Sequence, residues 1–462
     1  MSMDLEKRAR RQSLRVIISE SIMVITVILT VIVLALIVSG YWLNSDFKVE
    51  RQGMLQINSI PTGANITVDG DSPWFQRTNT SKILSSGKHE VVLSKDGYDT
   101  WSKTVNIREG LLYRLNYPQL FLKNRVKEAV YDTAATTYAS VSPNRKLLLL
   151  ANNTTSWSLI NLDSDTIRAT TLDVTKVFFT ASSPSTTTGL FDGKIISAKW
   201  DSANEHVLLK VDRNESVEWV LLDIRNTAKS INLTREFATE FEDVNIFDHS
   251  AENLLAIRNG NLHKIDVNTR QISAIILSDV QDYDFYDSEI VFSSKDHVGL
   301  LKLGDSEPTT IEMITDKAKV LIGKFYDNKY IYVIEGANIK VYQKNDLTKI
   351  LDSEISFIPS EVKIGHGGEF VNMSLEGKIA ALDMESMALS EWSAGANNFG
   401  WLNSYMIYSV ENGELSVFDF DGLNHRVLAK NVSSHFPVTI TSEKWLYYFS
   451  DGELVREWLI AR

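Results

Sequence analysis

The sequence is dominated by a repeat that occupies residues 124–462. Each copy contains an apolar strand, a tight hairpin and a second apolar strand, and eight copies can be aligned by the end of that second strand. These ends are Asp163, Asp223, Asp266, Gly304, Gln343, Asp383, Asp419 and Glu457. After a first interval of 60 residues they lie 36 to 43 residues apart, which is the period of a four-stranded propeller blade. The repeat predicts a mainly β fold with an eight-bladed β-propeller, and seven blades is the alternative.

The last copy stops after what would be the third strand of its blade. A three-stranded blade would expose a sheet edge, so we expect a fourth strand from elsewhere in the chain. Residues 118–123, which contain Leu120, Phe121 and Leu122, directly precede the first copy. We predict that 118–123 is the closing outer strand and that the propeller spans 118–462.

The N-terminal residues combine a basic segment with a long apolar run. Residues 1–15 contain five basic side chains and two acidic ones, and residues 22–38 are apolar except for Thr26 and Thr30. Extended to Leu43, the run has 22 residues and would form about 33 Å of helix, close to the thickness of a hydrocarbon core. We predict a cytoplasmic tail at 1–15, a transmembrane signal anchor at 16–43 and a linker at 44–52.

The side on which the basic residues lie predicts the orientation of the anchor. Lys and Arg are enriched in cytoplasmic flanks of membrane spans, so the N-terminus would be cytoplasmic and everything after Ser45 extracytoplasmic. The run is too long for an ordinary cleaved signal peptide. We therefore expect a single-pass protein of the cell membrane, with the lipid bilayer as one partner and no processing.

Residues 53–117 predict a small separate β domain. Residues 54–57 and 65–68 alternate as half-buried strands do, and Asp69-Gly70 is a strong tight-turn dipeptide. Three further short strands follow near residues 89–93, 104–107 and 113–115. Short strands with glycine at the corners predict a small antiparallel β sandwich.

This segment resembles the PEGA domain, a small β module of prokaryotic surface proteins. The tetrapeptide that names the family is present as Pro61-Thr62-Gly63-Ala64, with Thr62 where the family has Glu. Asp69-Gly70 and Gly97-Tyr98 follow in the family's order. The resemblance implies an extracytoplasmic attachment or spacing module in which these residues are structural, and it implies no catalytic residue.

The repeat loosely resembles bacterial propellers of the WD-repeat-like and TolB-like kind. A PEGA module followed by a propeller behind a signal anchor also resembles bacterial cell-envelope proteins. These resemblances imply an interaction platform, although fold alone does not fix function.

Composition excludes several kinds of chemistry. The chain has no cysteine, which excludes disulfides, thiol catalysis and Cys-ligated metals. A formal net charge of −12 opposes contact with phosphate backbones, so we expect no nucleic-acid partner. The chain lacks the nucleotide-binding and hydrolase motifs, and its eight histidines do not lie at metal-ligand spacing. We therefore predict no catalytic residue and no cofactor.

Four carboxylates are the candidates for metal binding. Asp282 and Asp284 alternate along one predicted inner strand and should share a face. Paired acids of this kind could bind calcium or perform acid–base chemistry, or they could simply line a wet channel. Asp419 and Asp421 form half of a calcium-loop pattern, for which a plain β-turn is the simpler interpretation.

Trp74 and Phe75 are the candidate contact residues of the small domain. They follow Ser72-Pro73 in a predicted loop, and exposed aromatic side chains often mark contact surfaces. Together these features predict a membrane-anchored scaffold or binding protein whose propeller contacts an envelope protein or a cell-wall polymer. The alternative is a propeller enzyme, a glycan or peptide hydrolase or lyase that uses the channel carboxylates.

Overall fold

The computed structural model describes residues 20–36, 41–43, 49–71, 76–179, 189–213, 216–247, 251–365, 367–395 and 398–460. The chain divides into two compact units, Met1–Lys123 and Asn124–Arg462. The predicted cytoplasmic tail at 1–15, part of the predicted linker and the contact candidates Trp74 and Phe75 lie outside the described residues.

Helix α1 spans residues 20–36. Among the described residues, no helix combines the length and the apolar character required to cross a membrane. The predicted continuation of the helix to Leu43 is wrong, because Tyr41–Leu43 forms strand β1 and pairs antiparallel with residues 49–51. The Tyr41 hydroxyl accepts a hydrogen bond from Arg51 Nε at 2.9 Å, a contact that favours the strand.

The described part of unit 1 contains two sheets in addition to α1. The first holds β1, β2 (Val49–Ile57), β4 (Thr80–Ser85) and β7 (Leu112–Leu115), and the second holds β3 (Asn65–Val68), β5 (Gly87–Ser94) and β6 (Trp101–Ile107). Alternation along the strands buries one face of each, including Leu55, Val91 and Trp101 at 0% exposure. The expectation of an antiparallel sandwich needs one correction, because β7 runs parallel to β2.

Residues 118–123 do not close the propeller, which corrects the predicted boundary. Their backbone bonds lie within unit 1, where Leu120 N donates to Ile60 O at 2.8 Å and Lys123 N donates to Gly97 O at 2.9 Å. Leu120 and Phe121 are fully buried. The apolar side chains that suggested an outer blade strand instead complete the core of the small domain.

Unit 2 contains, in its described part, eight four-stranded antiparallel sheets in chain order, which we number as blades 1 to 8. Blades 1 to 4 consist of β9 Thr136–Val141, β10 Leu147–Asn152, β11 Ser156–Asn161 and β12 Ala169–Asp173; β13 Lys194–Trp200, β14 His206–Arg213, β15 Ser216–Asp223 and β16 Ile231–Asn232; β17 Asp243–Ile246, β18 Asn253–Arg258, β19 Asn261–Asp266 and β20 Gln271–Ile272; and β21 Asp282–Tyr286, β22 Glu289–Ser293, β23 His297–Lys302 and β24 Thr309–Met313.

Blades 5 to 7 consist of β25 Ala318–Phe325, β26 Asn328–Glu335, β27 Asn338–Gln343 and β28 Lys349–Glu354; β29 Glu361–Ile364, β30 Phe370–Leu375, β31 Lys378–Asp383 and β32 Ala388–Ser393; and β33 Asn398–Trp401, β34 Met406–Glu411, β35 Glu414–Asp419 and β36 Arg426–Lys430. Blade 8 combines β37 Thr439–Thr441, β38 Trp445–Ser450 and β39 Glu453–Trp458 with β8 Lys127–Asp132. Three short helices are present among the described residues: α2 Thr175–Phe178 follows blade 1, the 3-10 helix Thr227–Lys229 lies between the last two strands of blade 2, and α3 Leu233–Glu236 follows blade 2.

One backbone hydrogen bond recurs in every blade. The amide just after the third strand donates to a carbonyl at the start of the second strand or directly before it, at 2.7 to 3.0 Å. The eight donor–acceptor pairs are Leu162–Lys146, Ile224–Glu205, Val267–Glu252, Leu303–Ser288, Lys344–Lys329, Met384–Glu369, Phe420–Tyr405 and Leu459–Lys444. The repeat in the sequence thus corresponds to a repeat in backbone geometry, and eight blades rather than seven are present.

The ring closes between blade 8 and blade 1. The outer strand of blade 8 is β8, which pairs with β39 from Lys127↔Glu457 to Asp132↔Glu453. Leu148 and Ile160 of blade 1 pack with Trp445 of blade 8 in one buried cluster. As predicted, a strand that precedes the first blade in the sequence completes blade 8. That strand is formed by residues 127–132 and not by 118–123.

Candidate functional site

The first strands of neighbouring blades lie side by side, and polar side chains cross between them. Lys199 of β13 reaches β17, where its Nζ donates to Asp243 Oδ1 at 2.9 Å and to Asn245 Oδ1 at 2.7 Å. Trp200 Nε1 on the same strand donates to Ser140 Oγ of β9 at 2.9 Å. The first strands therefore form the inner wall of the ring, which any ligand in the channel would meet.

Tyr283 extends this polar layer from blade 3 to blade 4. Asn245 Nδ2 donates to the Tyr283 hydroxyl at 2.8 Å, and that hydroxyl donates to Leu255 O at 3.0 Å. Burial raises the pKa of Tyr283 well above its ordinary value, and the charge of Asp243 raises it further. Tyr283 is therefore a neutral structural donor at physiological pH.

Asp282 and Asp284 bridge blade 4 to blade 5. Asp282 Oδ2 accepts from the backbone amide of Val320, and Asp284 Oδ2 accepts from that of Ile322, both at 2.9 Å. The two acceptors engage alternate amides of a single strand, so the side chains lie on one face of β21, as alternation predicts. The two carboxylates thus provide the hydrogen-bond acceptors that the carbonyls of a neighbouring strand would otherwise provide.

Burial raises the pKa of each of these carboxyls to about 6. The hydrogen bonds from Val320 and Ile322 lower these pKa values but only partly offset the burial. Carboxyls with raised pKa values at an inner wall are a typical mark of a functional site, although structural pairs show it as well. Here each carboxylate already accepts a hydrogen bond from a backbone amide.

The described residues contain no group of three His, Asp or Glu side chains that could hold a metal ion. Asp419 is buried, and its Oδ2 accepts from Asn424 Nδ2 at 2.8 Å. Asp421 Oδ1 accepts from the amide of Leu423 at 3.1 Å, and Gly422 has a φ of 79°. These contacts describe a tight turn stabilised by aspartate side chains.

Two of the acids at the ends of the third strands share a role that the sequence interpretation missed. Asp223 Oδ1 accepts from the amides of Arg225 and Asn226, both at 2.9 Å. Asp383 Oδ1 accepts in the same way from the amide of Glu385 at 2.9 Å. Asp is favoured where its side chain can bond the backbone two residues later. Their recurrence at the end of a strand was the available signal.

The PEGA tetrapeptide forms a compact corner in unit 1. Ala64 is fully buried, its amide donates to Thr78 Oγ1 at 3.0 Å, and Gly63 has a φ of 75°. The Pro61 carbonyl accepts from Ser59 Oγ at 2.8 Å, and the Thr62 carbonyl accepts from Lys95 Nζ at 2.6 Å. These contacts support a structural role.

The two later PEGA turns are also structural. Asp69 and Gly70 have φ values of 53° and 80° at the turn after β3. Asp69 Oδ2 lies 2.6 Å from His89 Nδ1, and its Oδ1 accepts from the amide of Glu90 at 2.8 Å. The bond to His89 and then the bond to Glu90 lower the pKa of Asp69. Gly97 has a φ of 81° and precedes Tyr98, which is buried.

A second polar site, centred on Arg145, was missed by sequence reasoning. Arg145 lies in the loop between the first two strands of blade 1 and has a φ of 58°. The loop joins parts of blades 7 and 8 around a cavity of about 140 Å³. Its members are up to about 300 residues apart in sequence, and the only local signal was an arginine in a turn position that favours Asn or Gly.

Solved structures similar to this chain are distant. Hsv2 of Kluyveromyces lactis has a TM-score of 0.43 at 9% identity, over 64% of this chain and 98% of that chain. PorZ of Porphyromonas gingivalis, described as a bacterial surface component of the type-IX secretion system, has a TM-score of 0.41 at 12% identity, over 70% and 42% of the chains. An oligogalacturonate lyase in complex with manganese has a TM-score of 0.38 at 12% identity, over 57% and 88%.

The small domain has a family match. No curated protein sequence matches the chain. The model of the PEGA domain matches residues 52–120, which confirms the resemblance read from the tetrapeptide and its two turns. The match extends to the residues that follow β7 and includes Leu120, in agreement with the packing of that segment in unit 1. The family match therefore covers the small domain, residues 52–120.

Proposed function

We propose that the chain is a membrane-anchored, extracytoplasmic scaffold or binding protein whose propeller contacts a protein or a wall polymer of the cell envelope. The observation that carries this proposal is that side chains of the inner wall form hydrogen bonds between neighbouring blades. Lys199, Asp282 and Asp284 each hold a neighbouring strand through hydrogen bonds of 2.7 to 2.9 Å. Side chains that are held in this way suit a rigid binding platform better than they suit the catalytic turnover of a substrate.

The anchor in this proposal is supported by the sequence and by the surface of α1. Twelve large apolar side chains of α1 are 41% to 63% exposed, and they lie on all sides of the helix. The hydroxyls of Thr26 and Thr30 donate to carbonyls four residues earlier, both at 2.8 Å. A lipid environment would cover such a surface, and these internal bonds satisfy the hydroxyl groups of Thr26 and Thr30 within it.

Topology and partners can be tested on intact cells that express the full chain. Protease added outside should degrade unit 2 and the two sheets of unit 1, and leave a short membrane-bound stub that contains α1. Crosslinking before lysis should recover one abundant envelope component with the full chain. A soluble, shortened form that begins near Gly40 would contradict the anchor, and catalytic turnover of a glycan or peptide with no crosslinked partner would contradict the scaffold role.

The rival function, a propeller hydrolase or lyase, is favoured by one observation. Carboxyls with pKa values of about 6 are suited to general acid–base chemistry near neutral pH. Asp282→Asn and Asp284→Asn variants separate the two functions, because the amide oxygen can still accept the backbone bonds. The rival function requires both variants to lose turnover of an envelope glycan or peptide, whereas the scaffold predicts unchanged crosslinking.

A further inference from the structure

The loops that join the first and second strands of blades 7, 8 and 1 line a small, partly open polar cavity. Its volume is about 140 Å³, and it is lined by Arg145, Tyr405 and Glu443 together with Asn144, Asn403 and Ser442. This space equals that of about four or five liquid waters at roughly 30 Å³ each. It is large enough for a small organic group and too small for a polymer chain.

Arg145 differs from three other arginines of the propeller that are buried or half-buried. Arg125 pairs with Glu457 at 2.9 Å, Arg235 with Glu218 at 2.7 Å and Arg456 with Glu128 at 2.8 Å. Among the residues that the structure describes, the Arg145 guanidinium has no hydrogen-bond or ion-pair partner. Burial lowers its pKa. Arg145 is half-buried, so a ligand with a negative charge would meet a cation that the described residues leave without a counter-charge.

Two hydrogen bonds hold the backbone of Arg145 in a conformation with positive φ, which is uncommon for residues other than glycine. Its amide donates to Ser142 O at 2.8 Å, and its carbonyl accepts from Thr441 Oγ1 of blade 8 at 2.6 Å. In the equivalent turn of blade 2, Asn204 has the same φ of 58°, and its amide donates a hydrogen bond to Asp201 O at 3.1 Å. Asn adopts this conformation more readily than Arg does, so blade 1 has an arginine at a turn position where the fold itself would accept Asn.

The charges around the cavity select the kind of ligand. Burial raises the pKa of Tyr405, and the carboxylates of Glu443, Glu369 and Asp419 raise it further. This negative surrounding field disfavours a phosphate dianion. Arg145 can bind a carboxylate through two parallel N–H donors, and Glu443, which is exposed and not ion-paired with Arg145 in the described structure, can accept from an ammonium group.

We propose that this cavity binds the α-amino-acid group of a small free amino acid, with the carboxylate on Arg145 and the ammonium on Glu443. Such a ligand carries no net charge and places both signs within one small volume. The site goes beyond the scaffold role proposed above, because a propeller that contacts an envelope component does not need it.

The test uses the full chain in detergent micelles, with glycine and alanine as probes in calorimetry and in ligand-observed NMR. Acetate lacks the ammonium, methylamine lacks the carboxylate, and inorganic phosphate tests the competing anion. We expect glycine or alanine to bind at least about tenfold more tightly than acetate, methylamine or phosphate, a difference of about 1.4 kcal/mol. Absence of amino-acid binding at about 10 mM, or tightest binding of phosphate, overturns the proposal.

Three variants decide which side chains are responsible. Arg145→Asn copies the turn of blade 2, so it should keep the melting temperature and weaken amino-acid binding at least about tenfold. Glu443→Gln should abolish the preference for glycine over acetate. Arg168→Gln removes an exposed arginine of the same blade outside the cavity and should bind as the unmodified chain does. Normal binding by Arg145→Asn, an unchanged preference in Glu443→Gln or an equal loss in Arg168→Gln contradicts the proposal, and none of these results affects the crosslinking test of the scaffold role.

Discussion

Asp282 accepts a hydrogen bond from the backbone amide of Val320 across the boundary between blades 4 and 5, at 2.9 Å. Asp284 repeats the contact two residues later with Ile322, also at 2.9 Å. A side chain thus satisfies amides that would otherwise face the centre of the ring unpaired. Since a buried amide without a partner costs about 1–3 kcal/mol, these acids have a structural reason to be present.

Replacing Asp284 separates its charge from its role as an acceptor. Asp284→Asn keeps an oxygen that can accept from Ile322, whereas Asp284→Ala leaves that amide unsatisfied and should lower the free energy of unfolding by about 1–3 kcal/mol. Denaturant unfolding at pH 7.5 measures both variants. Equal stability of the Ala and Asn variants would mean that the bond to Ile322 contributes nothing.

The same pair predicts a specific pH dependence. Burial raises both pKa values from 3.8 to about 6, so between these limits the folded chain binds more protons than the unfolded chain. The stability contributed by the pair is therefore full below about pH 4 and falls as the pH rises through 6. The double variant Asp282→Asn/Asp284→Asn should gain stability relative to the unmodified chain over this interval, by a few kcal/mol at most.

A control of opposite sign is available in blade 5. The amide of Thr348 donates to Asp346 and lowers the pKa of this exposed carboxyl. Its contribution is therefore present above the ordinary pKa and lost in acid, so Asp346→Asn should lose rather than gain relative stability as the pH rises. The same direction of change in both variants would contradict the assignment of the slope to the buried pair.

A buried ion pair holds the segment before β8 against the end of β39. Arg125 Nε lies 2.9 Å from Glu457 Oε2, and Tyr448 donates to Glu457 Oε1 at 2.6 Å. Arg125→Ala would leave the Glu457 carboxylate buried without its counter-charge, at a cost of about 3–5 kcal/mol. The control Lys363→Ala removes an exposed partner of Glu361 and should change stability by at most about 1 kcal/mol. Thermal unfolding of both variants should show a large loss only for Arg125→Ala.

The features that the sequence predicted are those encoded within one repeat. Turn pairs such as Asn259-Gly260 and apolar alternation lie inside each blade, so the blade count could be read directly. The closing strand could not, because Lys127–Asp132 has three exposed residues at its start and no apolar alternation. Residues 118–122 are more apolar, but their partners are in the small domain, and no local pattern distinguishes the two destinations.

The candidate sites show the same contrast between features encoded within one repeat and contacts made between distant parts of the chain. Alternation placed Asp282 and Asp284 on one face, but their partners are amides 38 residues further along the chain. The Arg145 cavity combines loops from the first, seventh and eighth blades, so its members come together only when the ring closes. Contacts between blades depend on tertiary packing, which a repeat pattern does not specify.

Closure by β8 predicts a sharp difference between two shortened chains. A chain that begins at Asn124 keeps β8, whereas one that begins at Thr136 exposes the edge of β39 from Glu453 to Glu457. An unpaired sheet edge promotes aggregation. The shorter chain should therefore melt at least roughly 5 °C lower or aggregate on heating. Equal melting temperatures and solubility would show that β8 is not needed to complete blade 8.

Two adjacent glycines in the loop of blade 6 differ in how closely they approach blade 5. Gly367 and Gly368 have φ values of 91° and 77°, so alanine at either position adopts an unfavourable backbone conformation at a cost of about 1–2 kcal/mol. Only at Gly368 would the added Cβ also overlap blade 5, because it would meet the carbonyl oxygen of Lys324 and lie 2.8 Å from its carbonyl carbon, whereas at Gly367 it meets nothing within 4 Å. Gly368→Ala should therefore lower the free energy of unfolding by at least about 2 kcal/mol more than Gly367→Ala. Denaturant unfolding of the two variants measures the difference, and equal losses would mean that the loop of blade 6 does not approach blade 5 as closely as the structure has it.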